Sequence, residues 1–200
     1  MNEVYDRLQK IIDKIKTDKF IEGRGLGNEI SYYIFDYEPK EELAVRQYTQ
    51  YIKKELNKID SNRKVIEFDL YKTFIELLKE ADIFEQIIGL EEKEGKDYIL
   101  NAVTPFITAE MYAKKITEES EGYDVIFITG IGKIYPFMRS HNILNSLQQF
   151  LNKKPIVVFY PGEYSGQDLT LFERFKDENY YRAFPLITDW VENGNDAKNQ

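Results

Sequence analysis

The sequence predicts an α/β domain of three layers, a mainly parallel central sheet with helices on both faces, closing on a C-terminal β-hairpin. Three observations lead there. Short apolar runs alternate with segments whose apolar residues recur at helical spacing, which is the pattern of strand–helix–strand units. The run Ile156, Val157, Val158, Phe159 and Tyr160 has no polar alternation and is too short for a helix, as expected of a strand covered on both faces. Pro161 and Gly162 follow at once, so the strand end opens onto a turn carrying Glu163, Tyr164, Ser165, Gly166, Gln167 and Asp168. Strand C-terminal ends are where α/β folds keep their sites.

Val4, Leu8, Ile11, Ile12 and Ile15 make residues 3–17 an amphipathic helix outside the sheet. Gly23, Gly25 and Gly27 precede a strand and open no helix, so this glycine-rich stretch reads as a connector. Residues 30–37 form the first strand, and Pro39 starts a helix whose Leu43, Ala44, Tyr48, Tyr51, Ile52, Leu56 and Ile59 are expected to face inward. A second strand covers 64–70, followed by a helix through Phe74, Leu77, Leu78 and Ala81 toward Ile88. The acidic stretch 91–97 reads as a surface break. Two abutting helices are expected over 98–118, the second capped by Thr104 with Pro105 at its first position. Residues 123–129 are the third strand and 134–151 the helix after it. The hairpin is expected to pair 169–172 with 180–187, turning at Asp177, Glu178 and Asn179. Residues 1–192 then make one domain and 193–200 a flexible tail.

Composition narrows the chemistry. Two hundred residues, 42% hydrophobic and 31% charged, suit a single globular domain that buries about 70% of its unfolded surface. The absence of cysteine removes disulfides, thiolate nucleophiles and iron–sulfur or zinc–thiolate sites, and accords with a cytoplasmic location. No apolar run reaches the ~20 residues of a membrane span. A net charge of −8 opposes extensive contact with phosphate backbones, which argues against direct DNA binding. The basic pairs Lys53/Lys54, Arg63/Lys64, Lys114/Lys115 and Lys153/Lys154 read as solvated faces or helix-end partners.

The candidate sites cluster at predicted strand ends. Gly130, Gly132 and Lys133 lie between a strand and a helix, the context of a phosphate-binding loop, but Phe127 and Ile134 stand where such a loop needs glycine and a hydroxyl. A tight turn with weak anion affinity is the better reading. Asp36 and Asp69 each end a strand, and on adjacent strands their carboxylates would approach to hold magnesium or share a proton. The alternative is that each caps the helix that follows. The single histidine, His141, shares a helical face with Met138 and Leu144 and reads as a core-edge residue; no GxSxG elbow accompanies it. Arg139 can pair with Asp36, Asp69 or Glu163, or meet a partner. Glu163 and Asp168 can form an acidic pair in their turn. Tyr164, beyond a buried strand, either folds back onto the sheet or anchors a partner. With Pro161 and Gly162, these turn residues and Arg139 are the partner-binding candidates. No metal or cofactor site is expected.

Two stretches carry a family resemblance: ITGIGKIYPFMRSHNILNSL over 128–147, and PIVVFYPGEYSGQDLTLFERFKDENYYRAFPLI over 155–187. Together they resemble the BrxB family of the BREX bacteriophage-exclusion systems, over nearly the whole chain. The resemblance implies a non-catalytic subunit acting in defence alongside a methyltransferase, a large AAA+ ATPase and an alkaline-phosphatase-like protein. Of these the last is the expected direct contact. Self-association stays open. The competing reading is a degenerate nucleotide- or phosphoester-binding enzyme using Asp36, Asp69 and the glycine turn.

Overall fold

In a computed structural model, residues 3–22, 32–151, 154–177 and 183–187 are described. In chain order they form α1 (Glu3–Lys16), α2 (Asp18–Glu22), β1 (Tyr32–Tyr37), a 3-10 turn (Pro39–Glu41), α3 (Glu42–Leu56), β2 (Val65–Asp69), α4 (Leu70–Glu80), α5 (Phe84–Glu94), α6 (Lys96–Val103) and α7 (Ala109–Glu119). Then come β3 (Val125–Thr129), α8 (Ile131–Ile134), α9 (Ser140–Phe150), β4 (Ile156–Tyr164), β5 (Leu169–Leu171), β6 (Phe175–Asp177) and β7 (Ala183–Pro185). The strand order β2-β3-β4-β1-β7 is parallel throughout, and β5 and β6 add antiparallel to the distal half of β4. The α/β fold class expected from the sequence is therefore the one observed.

The unbroken apolar runs have a direct cause. Tyr33, Phe35, Phe127, Val157 and Phe159 point into one core with Leu8 and Ile11 of α1 and Ile52 and Leu56 of α3. Their neighbours Ile34, Ile126, Ile128, Ile156 and Val158 point into the other, against α4 and α6 to α9. With both faces covered, alternation has no polar side to serve. Each fully buried side chain of this kind contributes about 1.5–3 kcal/mol against exposure.

Several local expectations fail for identifiable reasons. The buried stripe of α3 is Val45, Thr49, Ile52 and Leu56, while Leu43, Tyr51 and Ile59 are exposed. Both stripes have helical spacing, and only packing against β1 and β2 selects between them. The second of the two central helices begins at Thr108, whose hydroxyl accepts from the Met111 N–H, rather than at Thr104. The Thr104 hydroxyl instead donates back to the Leu100 carbonyl as α6 ends. The acidic stretch is helical up to Gly95, which breaks it at φ 82°. The helix after β3 is split, with the one-turn α8 set apart from α9 by residues 135–139.

The hairpin also closes earlier than expected. Phe172 and Glu173 adopt left-handed φ of 53° and 59°, so β5 pairs with β6 while β7 joins the parallel sheet beside β1. Non-glycine residues seldom take that conformation and give no sequence sign of it. The strand expected to stop at Tyr160 runs on through Pro161 to Tyr164, because Pro161 sits where its ladder and the β5 pairing hand over. The glycine-rich connector, the 178–179 part of the expected turn and the 193–200 tail lie outside the described residues.

Candidate functional site

The C-terminal ends of β1, β2, β3 and β4 share one rim of the sheet. Asp36 and Asp69 both lie on it but are not brought together. The crossover from β1 to β2 skips two positions, so β4 and β3 stand between their strands. At ~4.8 Å per strand the separation is about 14 Å, too far for a shared proton or ion. Each carboxylate has its own partners. Asp36 pairs with Arg7 at 2.7 Å and accepts the Tyr164 backbone N–H at 3.1 Å, joining α1 to the β4–β5 hairpin. The Arg7 guanidinium also lies 4.7 Å from the Phe35 ring centroid. Asp69 caps α4 through the N–H groups of Tyr71 and Lys72, at 3.1 and 3.3 Å, and pairs with Lys133. Helix capping is thus the use made of Asp69.

The glycine turn is structural in the same sense. Gly130 is left-handed at φ 75°, and a Cβ there would collide with the Asp69 carboxylate. Its carbonyl accepts from the Lys133 and Ile134 N–H groups, opening α8, while the Lys133 ammonium is held by Asp69. Gly132 packs so closely on the ring of Phe172 and on Pro161 that a Cβ would stand 2.7 Å from the former and 3.3 Å from the latter. The 130–133 turn and the observed β5–β6 hairpin, which turns at Phe172, therefore meet at this rim. Gly162 is required where its backbone crosses the Thr170 carbonyl, with no room for a Cβ.

Tyr164 folds back: its hydroxyl lies 2.8 Å from the Ala183 carbonyl and 3.0 Å from that of Gly166. Asp168 pairs with Lys176 at 3.4 Å rather than forming an acidic couple with Glu163, which is exposed. His141 is half-buried and lies off the buried stripe of α9, which is Ser140, Ile143, Leu144 and Leu147. Arg139 is exposed and, among the described residues, forms no ion pair: Arg7 and Lys133 hold Asp36 and Asp69, and the exposed Glu163 is not paired with it either. Beneath the rim, Glu67 accepts from Lys53, Gln50 and the Thr129 hydroxyl at 2.8, 2.6 and 2.9 Å. Burial alone would raise its pKa; those hydrogen bonds and the Lys53 charge outweigh burial and hold it below the ordinary carboxylate value. Lys115, expected on a solvated helix face, is instead largely buried and ties α7 to α4 through Glu76 and Glu80, with Glu119 on its own helix.

One cavity at the rim was not anticipated. A pocket of about 270 Å³ opens between the 135–139 segment and the β5–β6 hairpin, bounded by Arg139, Arg174, Lys176, Tyr135 and Phe175. Arg174 closes the turn and Phe175 and Lys176 open β6, so three consecutive residues reach the pocket and no strand alternation in the sequence marks them. Among the described residues no group of three His, Asp or Glu is placed to hold a metal ion, and no helix is long and apolar enough to cross a membrane.

Comparison with known proteins bears on this rim, because the family model for BREX protein BrxB matches residues 66–186, which run from β2 through β7. The chain belongs to the BrxB family. A BREX protein BrxB of Bacillus cereus (strain H3081.97) is 43% identical over 191 residues, covering 94% of this chain and 99% of the relative. A second, from Escherichia coli O9:H4 (strain HS), is 33% identical over 187 residues, covering 92% and 91%. No solved structure matches the chain significantly. Membership places this BrxB protein in BREX phage defence, with other BREX proteins as its partners.

Proposed function

We propose that this BrxB protein is a non-catalytic, cytoplasmic binding subunit of its BREX system, and that the strand-end rim docks the alkaline-phosphatase-like component. One observation carries the reading. The ionisable groups that would do chemistry at the strand ends, Asp36, Asp69 and Lys133, are spent on internal pairs, while Arg139 and Glu163 face outward from the same rim. Exposed charged groups with no ionic partner among the described residues are those a protein surface uses for recognition. The alternative, phosphoester chemistry by Asp36 and Asp69, is favoured by no observation, since the two carboxylates are strands apart.

The test is affinity capture of the tagged chain from cells carrying the whole gene cluster. Arg139→Glu combined with Glu163→Lys reverses the outward charges and touches no internal pair. Recovery of the alkaline-phosphatase-like protein is expected to fall at least about tenfold with the melting temperature unchanged. Undiminished recovery refutes this surface.

A further inference from the structure

The pocket between the 135–139 segment and the β5–β6 hairpin has a composition that partner docking does not require. Five arginines, Arg7, Arg46, Arg63, Arg139 and Arg174, lie among the described residues. Arg7, Arg46 and Arg63 are ion-paired. Arg139 and Arg174 have no acidic partner among the described residues, and both line this one pocket. In a chain of net charge −8, with 35 acidic residues against 27 basic ones, two unpaired guanidiniums meeting at one cavity run against the general pattern. Lys176 adds a third cation, shared with Asp168 at 3.4 Å.

The backbone contributes in the same direction. α9 starts at Ser140 on the pocket wall, and Arg139 at its N-cap offers no side-chain acceptor to the first-turn N–H groups. The positive end of an eleven-residue helix favours an anion. Much of the remaining lining is apolar or aromatic. Ile131, Met138 and Leu171 form the floor, and the Tyr135 and Phe175 rings, 4.9 Å apart between centroids, form a side wall. Phe175 is 46% exposed, so part of its ring surface is open to a ligand.

We propose that this pocket binds a small organic oxyanion bearing an aromatic ring, of the nucleoside monophosphate class. The guanidinium forks of Arg139 and Arg174 match phosphate oxygens bidentately, and the Tyr135/Phe175 wall supplies a face for the ring to stack on. The cavity volume is close to the lower end of small-ligand sites, which suits one nucleotide rather than a dinucleotide. The residues differ from the strand-end carboxylates and glycine turn, so the assignment is independent of any chemistry there. It shares Arg139 with the proposed docking surface, but binding to the isolated full chain tests it with no partner present.

The experiment is calorimetric titration of the purified full-length protein with AMP, GMP, CMP and UMP, and with adenosine and inorganic phosphate as partial probes. At least one mononucleotide is expected to bind, about tenfold or more tighter than either phosphate or its nucleoside. Arg174→Ala and Arg139→Ala are each expected to weaken it about tenfold or more, with melting temperatures unchanged because both side chains are exposed and neither forms an ion pair among the described residues. Phe175→Ala weakens the mononucleotide but not phosphate. Absence of binding by all four at millimolar concentration overturns the proposal, as does binding indifferent to both arginine substitutions. Phosphate binding as tightly as the nucleotide overturns the role of the aromatic wall.

Discussion

Two sets of charged residues occupy the same rim of the sheet and are treated in opposite ways by the fold. On one side Asp36 and Asp69 are each closed into a pair, with Arg7 and with Lys133, and each also accepts backbone N–H groups. On the other side Arg139 and Arg174 have no ionic partner among the described residues and border a pocket. A carboxylate that is only 12% exposed, as Asp69 is, costs stability unless it is paired, so the fold surrounds it with donors. An exposed guanidinium carries no such cost and can wait for a ligand. Position at a strand end therefore does not by itself make a residue functional; whether its hydrogen-bonding capacity is already used does.

The contrast can be broken most severely at Gly130. Gly130→Val demands left-handed backbone from a β-branched residue and drives a methyl group into the Asp69 carboxylate; about 3 kcal/mol or more of stability should be lost in urea unfolding. Asp69→Ala removes a helix cap and leaves Lys133 unpaired. It should cost about 2 kcal/mol, part of the ion-pair loss being recovered by hydration of the partly exposed lysine. Asp36→Ala frees Arg7 and one backbone N–H at a wetter site, so about 1 kcal/mol is expected, with faster amide exchange at Tyr164.

A subtler distinction is in pH dependence. The folded pKa of Glu67 lies below its unfolded value, so its pairing contributes fully above the ordinary carboxylate range and is lost as pH falls through the depressed folded value. Glu67→Gln should flatten that part of the acid-unfolding curve, and an unchanged slope would show that its donors confer no net advantage. The smallest effect belongs to the other side of the rim: Arg139→Ala should alter stability by less than about 0.5 kcal/mol. A larger loss would mean that the guanidinium is structural after all and would erase the contrast.

Much of the framework was readable from residue order. The runs 125–129 and 156–160 are buried on both faces, and nothing but a sheet between two helix layers accommodates them. The capping use of Asp69 was legible too, from an acidic residue just before an apolar-periodic segment. Errors gathered where two local solutions were nearly equal, as in the stripe of α3 and in the choice between Thr104 and Thr108 as a cap. The pocket was missed because its walls, Arg139 and Arg174, come from segments 35 positions apart whose meeting depends on an early left-handed turn at Phe172 and Glu173. Pairing of Asp36 with Arg7 spans a separation of 29 residues, with no local pattern to announce it.

What the amino-acid order by itself determined was the layer architecture and the family, because hydrophobic period and turn chemistry are local properties that each segment carries with it. What only the tertiary structure decided was the order of strands across the sheet, and with it which charges meet and which stay apart. The crossover that inserts β3 and β4 between β1 and β2 separates the two carboxylates, and the folding of β5 and β6 back over β4 brings Arg174 to Arg139. Electrostatic partnership falls off with distance in space, and distance in space is set by packing rather than by position along the chain.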